Sequence, residues 1–504
     1  MNYPLRVVVV GGGISGLAAA NRLLELSREQ RRPVQLTVIE AKESWGGVIG
    51  TRAQAGFLLE EGPDAFLTDK PAALALIRRI GLGDELLSTS AESRRSFIAW
   101  RGRLRPVPEG FYLIAPSKLS ALITLPAMSL WGKLRMAREP FIASRRESGD
   151  ESIAQFIRRR LGRQALERIG QPMIGGIYTA DPEALSLQAT FPKLHEWERE
   201  HGSLYRALRS RRRQPERGTA EASGPRYSLF ATMRTGLSSV IDALTQRLAI
   251  AERIRGHAAE SLTRTAGGWR VQLNDGRALE ADAVILAIPS YRAAELFKVF
   301  APELHRALDA IDYATVAVAH FGFRAADMPA LPAGFGFVVP AVESRGVVGC
   351  TFTSMKFPGR APAGHVLVRA FVGGAMHRGV VSLDDARLLP LVREELRRLV
   401  GIKAEPVLTT IRRFHRAMPQ YAVGHLDRVA AIERMAAGYP GVHLTGNAYR
   451  GIGIPDCIRQ AEAAAERLMT LYTTVQATTN AGSDLQPLGS PSPVPGSSLP
   501  RISA

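Results

Sequence analysis

The spacing of apolar and polar positions changes period several times along the chain. Residues 7–10 read VVVV, a short unbroken apolar run of the kind needed by a parallel strand buried on both faces. From about Ile14 to Leu26 the apolar positions fall at helical spacing in ISGLAAANRLLEL, and VQLTVIE at 34–40 returns to strand. Together they predict a β-α-β unit. A later strand pair, GWRVQL (268–273) and ALEADAVILAIP (278–289), is joined by Asp275-Gly276, a strong hairpin signal. Residues 116–170 carry long Leu/Ile/Arg helical periodicity, and 206–226, rich in Arg, Gly, Pro and Ser, read as an exposed loop. From 313 to 373 the pattern is strand-like and consistent with an antiparallel sheet. After about 474, Thr, Ser, Pro and Gly dominate and predict a disordered tail.

Two glycine turns, each leading into a helix, stand near opposite ends of this pattern. In the first, Gly11-Gly12-Gly13-Ile14-Ser15-Gly16, the glycines at 11, 13 and 16 make GxGxxG between strand and helix. The first permits the tight turn, the second a close pyrophosphate, and the third close packing of helix on strand. Unpaired N–H groups at the helix start favour phosphate charge. Glu40 ends the second strand, where its carboxylate can meet ribose hydroxyls. The second turn is GNAYRGIGIPDCIRQ at 446–460, followed by AEAAAERLMTLY. Pro455 suits a first helical turn because its missing N–H would go unused. Asp456 reads as a cap or dipole partner rather than a catalytic acid, and Cys457 as a small buried residue. There is no second GxGxxG with its own strand and acid. A single dinucleotide site speaks against an NAD(P)H-fed reductase and for reoxidation by oxygen or a quinone.

At 504 residues the chain has room for two or three domains. Its two cysteines, Cys350 and Cys457, make no disulfide framework and fit a reducing compartment. The net charge of +18 raises nucleic-acid binding, but only 8 of the 65 basic residues are lysine and the arginines are scattered. The dense cluster RSRRRQPER (209–217) falls in the expected loop. Attraction to an acidic membrane surface or a carboxylate-bearing substrate accounts better for the charge. No apolar run reaches the roughly 18–20 residues of a membrane span, and the N-terminus enters a strand without a secretory leader. The expectation is a cytoplasmic protein, with peripheral contact to the inner membrane face left open. FYLIAP and ALITLPAMSLW, set among arginines, are the segments for such contact.

Residues 40–51, EAKESWGGVIGT, and 61–66, EGPDAF, resemble the flavin-binding amine-oxidase-like superfamily. An arginine common two residues before the GG pair is replaced here by Ser44. RGRLRPVPEGFYLIAP (101–116), GGIYTADPEALS (175–186), FTSMKFPGRAP (352–362) and GNAYRGIGIPDC (446–457) are similar, in the same order, to segments of the protoporphyrinogen and coproporphyrinogen oxidases. The resemblance implies an α/β fold: a Rossmann-like FAD domain made from 1–90, 227–290 and 436–473, a helical, membrane-associating domain at 91–205, and an antiparallel-sheet substrate domain at 291–435. It implies that FAD is held by Gly11 to Gly16, Glu40, Ala41, Gly47, Val48, Gly62, Pro63, Asp64, Ala65 and Ala259. Ile452, Gly453 and Ile454 would back the flavin, so that the second helix N-terminus meets the charge that appears there on reduction.

The implied substrate cleft is formed by Gly176, Val338, Thr351 and Phe371, of which Val338 and Phe371 read from pattern alone as core. An arginine that contacts a propionate in relatives falls at Ser96, with Arg95 beside it. The implied reaction removes six electrons and six protons from a porphyrinogen in three flavin cycles, with oxygen as acceptor. No side chain is singled out as acid or base, no metal is expected, and a homodimer is left open. FGFVVP and VRAFVGG offer one cation, Arg369, on the same strand face as Phe371. Four propionates would call for more, so the reading favours protoporphyrinogen IX, with coproporphyrinogen III as the alternative. An amine oxidase or carotenoid desaturase is a further alternative, and a colourless nucleic-acid or membrane scaffold stands as a rival from another class.

Overall fold

A computed structural model of the protein describes residues 3–90, 95–107, 111–112, 114–116, 122, 125, 127–145, 147, 149–213, 230–344 and 346–483. The runs VVVV and AVIL become neighbouring strands, Leu5–Val10 and Ala283–Leu286, inside a parallel sheet. Among the described residues that sheet has five strands, in the order Glu252–Arg255, Val34–Glu40, Leu5–Val10, Ala283–Leu286, Val442–Leu444. Both faces of its centre are covered, which is why neither run alternates. Helices Ile14–Glu29 and Ile454–Ser483 cover one face, where Leu17, Ala18, Ala461 and Ala465 share a core with Val7 and Val9. Val8 and Val10 on the other face meet the meander Ala259–Thr265, Gly268–Leu273, Ala278–Ala281 and helix Ser290–Phe297. Asp275 accepts from the Arg277 N–H at 3.0 Å and Gly276 takes φ +88°, completing the hairpin turn.

The second sheet has seven strands among the described residues: Leu408–Pro419, Tyr313–Arg324, His365–Gly373, Val347–Phe352, Gly336–Val338, Ser96–Trp100 and Arg103–Pro106. Neighbours are antiparallel except Gly336–Val338 and Ser96–Trp100, which run parallel. Helix Asp385–Val400 packs Leu388, Val392 and Leu396 on one face, against Ala317, Ala319, Phe321 and Ala370. Strand alternation turns Val318, Phe371 and Val338 to the opposite face.

The expected strand 278–289 divides in two, Ala278–Ala281 in the meander and Ala283–Leu286 in the parallel sheet, and the structure differs from the sequence reading in three further places. Within 91–205, Ser96–Trp100 and Arg103–Pro106 are strands, because SFIAW is covered on both faces, with Phe97 and Ala99 in the sheet core and Ile98 in the helical one. Around Phe156, Ile157, Leu194 and Trp197 the rest of the described segment is mainly helical. The expected loop 206–226 begins as helix Leu204–Arg213, which buries Leu204, Ala207 and Leu208 at helical spacing; 214–226 lie outside the described residues. The helix Ile454–Ser483 takes the start of the expected tail, because nothing in LYTTVQATTNA breaks a helix already propagating from a packed segment. Residues 484–504 lie outside the described ones. Among the described residues no helix is long and apolar enough to cross a membrane, and no metal-ligating cluster occurs.

Candidate active site

The glycines of the first turn divide into two kinds. A Cβ at Gly11 would overlap the Ala287 carbonyl, one at Gly16 the Gly11 carbonyl, and one at Gly12 the Trp45 ring. These three answer to packing. A Cβ at Gly13 would meet nothing nearer than Gly47 Cα at 3.9 Å, and Gly13 has φ −78° and ψ 179°, open to any residue. Gly13 therefore faces free space at the start of helix Ile14–Glu29, whose first turn has no side-chain cap and buries Ile14 and Ser15. Glu40 Oε2 accepts from the Gly12 N–H at 2.7 Å and Oε1 from the Lys42 N–H at 2.9 Å, so the carboxylate holds the turn in shape. Each oxygen keeps a lone pair for a hydroxyl donor. Ala41 follows, exposed, and Ala259 begins a strand close by, since Arg255 pairs with Glu40 and the His257 N–H reaches the Glu40 carbonyl at 3.3 Å.

The Gly46-Gly47 pair docks on this turn. The Gly46 N–H donates to the Gly12 carbonyl at 2.8 Å, and Gly13 and Gly46 form a parallel bridge. Gly47 has φ +66°, which leaves Val48 exposed beside the same space. A Cβ at Gly62 would overlap the Val48 carbonyl, so only glycine lets the Gly62-Pro63-Asp64-Ala65 turn cross here. Asp64 is not free for a ligand: Lys356 Nζ stands at 2.9 Å and Arg369 at 3.5 Å. Burial alone would raise its pKa, but these two cations outweigh burial and bring it down to about 2. The turn thus offers its backbone.

The second glycine turn meets the first. Helices Ile14–Glu29 and Ile454–Ser483 lie side by side, and the Ser15 hydroxyl reaches the Cys457 thiol. Gly453 accepts from the Cys457 N–H at 2.9 Å, and Ile452 and Ile454 flank it. Asp456 pairs with Lys70 Nζ at 2.5 Å, in keeping with a partner rather than an acid. Burial pushes the Cys457 thiol up to about 12, which leaves it unreactive. No local sequence signal marks Tyr421; its hydroxyl accepts from the Gly451 N–H (2.9 Å) and donates to the Asn447 carbonyl (2.6 Å), fixing the turn. Trp45, stacked on Gly12, also carries no motif that would reveal it.

Val338, Thr351 and Phe371 come together on one face of the second sheet: Val338 pairs with Gly349 and Gly349 with Phe371, while Thr351 pairs with Arg369 one row away. Gly176, on helix Gln171–Tyr178, covers Val338; its Cβ would stand 3.2 Å from a Val338 methyl. Val338 and Ile452 pack against the same helical core, so the wall strands lie beside the second turn. Arg95 is not in this group. Its carbonyl accepts from the Phe335 N–H at 2.8 Å ahead of strand Ser96–Trp100, and alternation gives the wall face to Ser96 and Ile98. Arg369 is fully buried, donates to the Gly62 carbonyl and lies 4.7 Å from the Phe371 ring centre. It supports the 62–65 turn and is closed to a substrate carboxylate. Beside it His320 Nε2 donates to the Glu60 carbonyl at 3.1 Å, and burial, then Arg369, hold its pKa at about 3.

Residues 14–469, from the helix after the first glycine turn to the helix after the second, match a model for flavin-containing amine oxidoreductases. The chain belongs to that family. A coproporphyrinogen III oxidase of Bacillus subtilis (strain 168) is 33% identical to it, over 92% of this chain and 98% of the relative. One of Propionibacterium freudenreichii subsp. freudenreichii is 36% identical, over 92% and 90%. A crystal structure from Exiguobacterium sp. 255-15, named as a candidate protoporphyrinogen oxidase, superposes with TM-score 0.81 at 30% identity, over 93% of this chain and 99% of that one. This flavoprotein uses FAD, and the residues present fit it: Gly13 leaves a cradle that a side chain would fill, beside uncapped helix N–H groups. FAD supplies two-electron oxidation when bound.

Proposed function

We propose that the protein oxidises coproporphyrinogen III to coproporphyrin III, with FAD as cofactor and oxygen as acceptor, in haem biosynthesis. Likeness to coproporphyrinogen III oxidases over nearly the whole chain carries this reading. It replaces the expectation of protoporphyrinogen IX, which rested on a wall with too few cations. In this reading Gly11 to Gly16, Glu40, Ala41, Gly47, Val48, the 62–65 backbone and Ala259 hold FAD, and Ile452 to Ile454 back its ring. Gly176, Val338, Thr351 and Phe371 line the macrocycle, and Arg95 has no part. The six-electron oxidation runs in three rounds, so these residues must hold a flexible porphyrinogen and a flat porphyrin in one orientation. The test is kcat/KM for the two porphyrinogens, prepared anaerobically and compared side by side. Coproporphyrinogen III is expected to win by at least about tenfold, roughly 1.4 kcal/mol in transition-state binding; a preference for protoporphyrinogen IX overturns the reading.

Peripheral membrane contact belongs to the same proposal. FYLIAP and ALITLPAMSLW lie partly outside the described residues, but Leu130, Trp131 and Leu134 on helix Leu130–Ala137, with Phe141 just beyond, stand exposed. Trp131 is 81% and Phe141 84% accessible, with Lys133, Arg135 and Arg138 between them, the pairing of apolar anchor and basic charge that suits an anionic lipid interface. The protein is expected to float with anionic vesicles, and Trp131→Glu with Phe141→Glu to abolish flotation while activity in solution persists. Absence of flotation by the unaltered protein removes the idea.

A further inference from the structure

One row of side chains crosses the second sheet on its cleft face, each residue in register with the next: Arg412, Val318, Phe371, Gly349, Val338 and Ile98. The rows toward the start of strand His365–Gly373 are closed. Arg369 lies under Gly62, His320 under Glu60, and Gly322 under the Phe57 ring. The Arg412 row is the first beyond that cover, and it is apolar from Val318 to Val338. Phe371 and Val338 are the half-buried members of that row, and a macrocycle resting on them would find Arg412 at its rim, beyond the buried Val318.

Arg412 is prepared for such a contact. Glu61, itself mostly buried, binds one guanidinium nitrogen and fixes the side chain, which is 39% exposed and stands 5.4 Å from the Phe414 ring centre. A guanidinium has five N–H donors in a rigid fork, so one carboxylate leaves donors for a second. Gly50 keeps the neighbouring chain small, its Cβ position lying 3.6 Å from Arg412 Nη1. The plain alternative is an ion pair that only ties the 60–62 turn to the sheet.

We propose that Arg412 binds a propionate of the substrate and sets the preference for four propionates over two. The proposal rests on the porphyrinogen reading above. The two propionates that distinguish coproporphyrinogen III replace vinyls on the half of the macrocycle opposite the shared pair. With one pair set deep in the cleft, the other meets the edge of the sheet.

The experiment compares the unaltered holoenzyme with Arg412→Ala, Arg412→Gln and Arg412→Lys on coproporphyrinogen III and on its tetramethyl ester, which lacks the carboxylates. Binding of coproporphyrin III and of its ester is followed in parallel by fluorescence. A charge-assisted hydrogen bond predicts a loss of about 10–100-fold in kcat/KM and in affinity for the tetra-acid. The loss should appear mainly in KM, with the ester changed less than about threefold and Lys recovering part of the loss. Flavin content reports whether the fold is intact, and Gln keeps a hydrogen bond to Glu61 if Ala fails to fold. Equal losses on acid and ester, or none on either, overturn the proposal. A preference of the unaltered enzyme for protoporphyrinogen IX would sink the substrate reading and with it the part of Arg412 in that preference, while the acid-against-ester comparison still judged its contact with a carboxylate.

Discussion

Gly13→Val is expected to give a folded but colourless protein. Gly13 has an ordinary extended backbone and open space where a Cβ would go, so valine strains no dihedral and clashes with no neighbouring backbone. Its methyl groups enter the space the pyrophosphate needs, and FAD affinity should fall by more than about 100-fold, roughly 2.7 kcal/mol or more. The melting midpoint of the flavin-free protein should stay within about 2 °C of the flavin-free parent, because no core contact is touched. Gly16→Ala makes the contrasting control: its Cβ would overlap the Gly11 carbonyl, backbone has to move, and stability should fall along with flavin. Absorbance near the flavin bands after reconstitution, with a thermal melt, reads both. If Gly13→Val binds FAD normally, the cradle lies elsewhere.

Arg369→Met is expected to lower stability by about 3–5 kcal/mol, the usual penalty for removing one partner of a buried charge group. The Gly62 carbonyl loses its donor, and Asp64 keeps only Lys356. His320 adds a pH signature. Its folded-state pKa, about 3, lies below the ordinary 6.5, so as pH falls through 6.5 the unfolded chain takes the proton first and stability drops down to about pH 3. Without the neighbouring guanidinium that pKa rises, and the acid-side loss from His320 shrinks. Melts of both proteins between pH 7 and pH 4 test this. The ratio of coproporphyrinogen to protoporphyrinogen turnover in the folded fraction should not change. Selective loss of coproporphyrinogen turnover at unchanged stability would mean that Arg369 binds substrate after all.

The parallel sheet and the first turn were legible because local rules write them: a double-faced strand needs an unbroken apolar run, and GxGxxG with Glu40 needs only its own strand and helix. The second turn was legible as a helix start, since Pro455 and the alanine-rich stretch are local signals as well. Position 13 was picked out, yet Gly11, Gly12 and Gly16 look the same in sequence. What separates them is the Ala287 carbonyl, the Trp45 ring and the Gly11 carbonyl, two of which come from elsewhere in the chain.

Charge placement was the least legible feature. FGFVVP and VRAFVGG showed Arg369 as the cation of the wall, because strand alternation puts it on the Phe371 face. Which part of that face is covered depends on the Gly62 turn, 307 residues earlier, and that turn buries Arg369. Arg412 enters the cleft row only through register with Val318, a residue far from it in the chain, and in IRRF it cannot be told from Arg413, which faces the other way. The period of each element, the sites of tight turns and the chemistry of the first glycine loop are written locally, since they depend on neighbours within a few residues. Only long-range contacts settle which arginine is buried, which stays half-exposed, and that the helices after two glycine turns at opposite ends of the chain pack side by side, because burial and register are set by segments far apart in the chain.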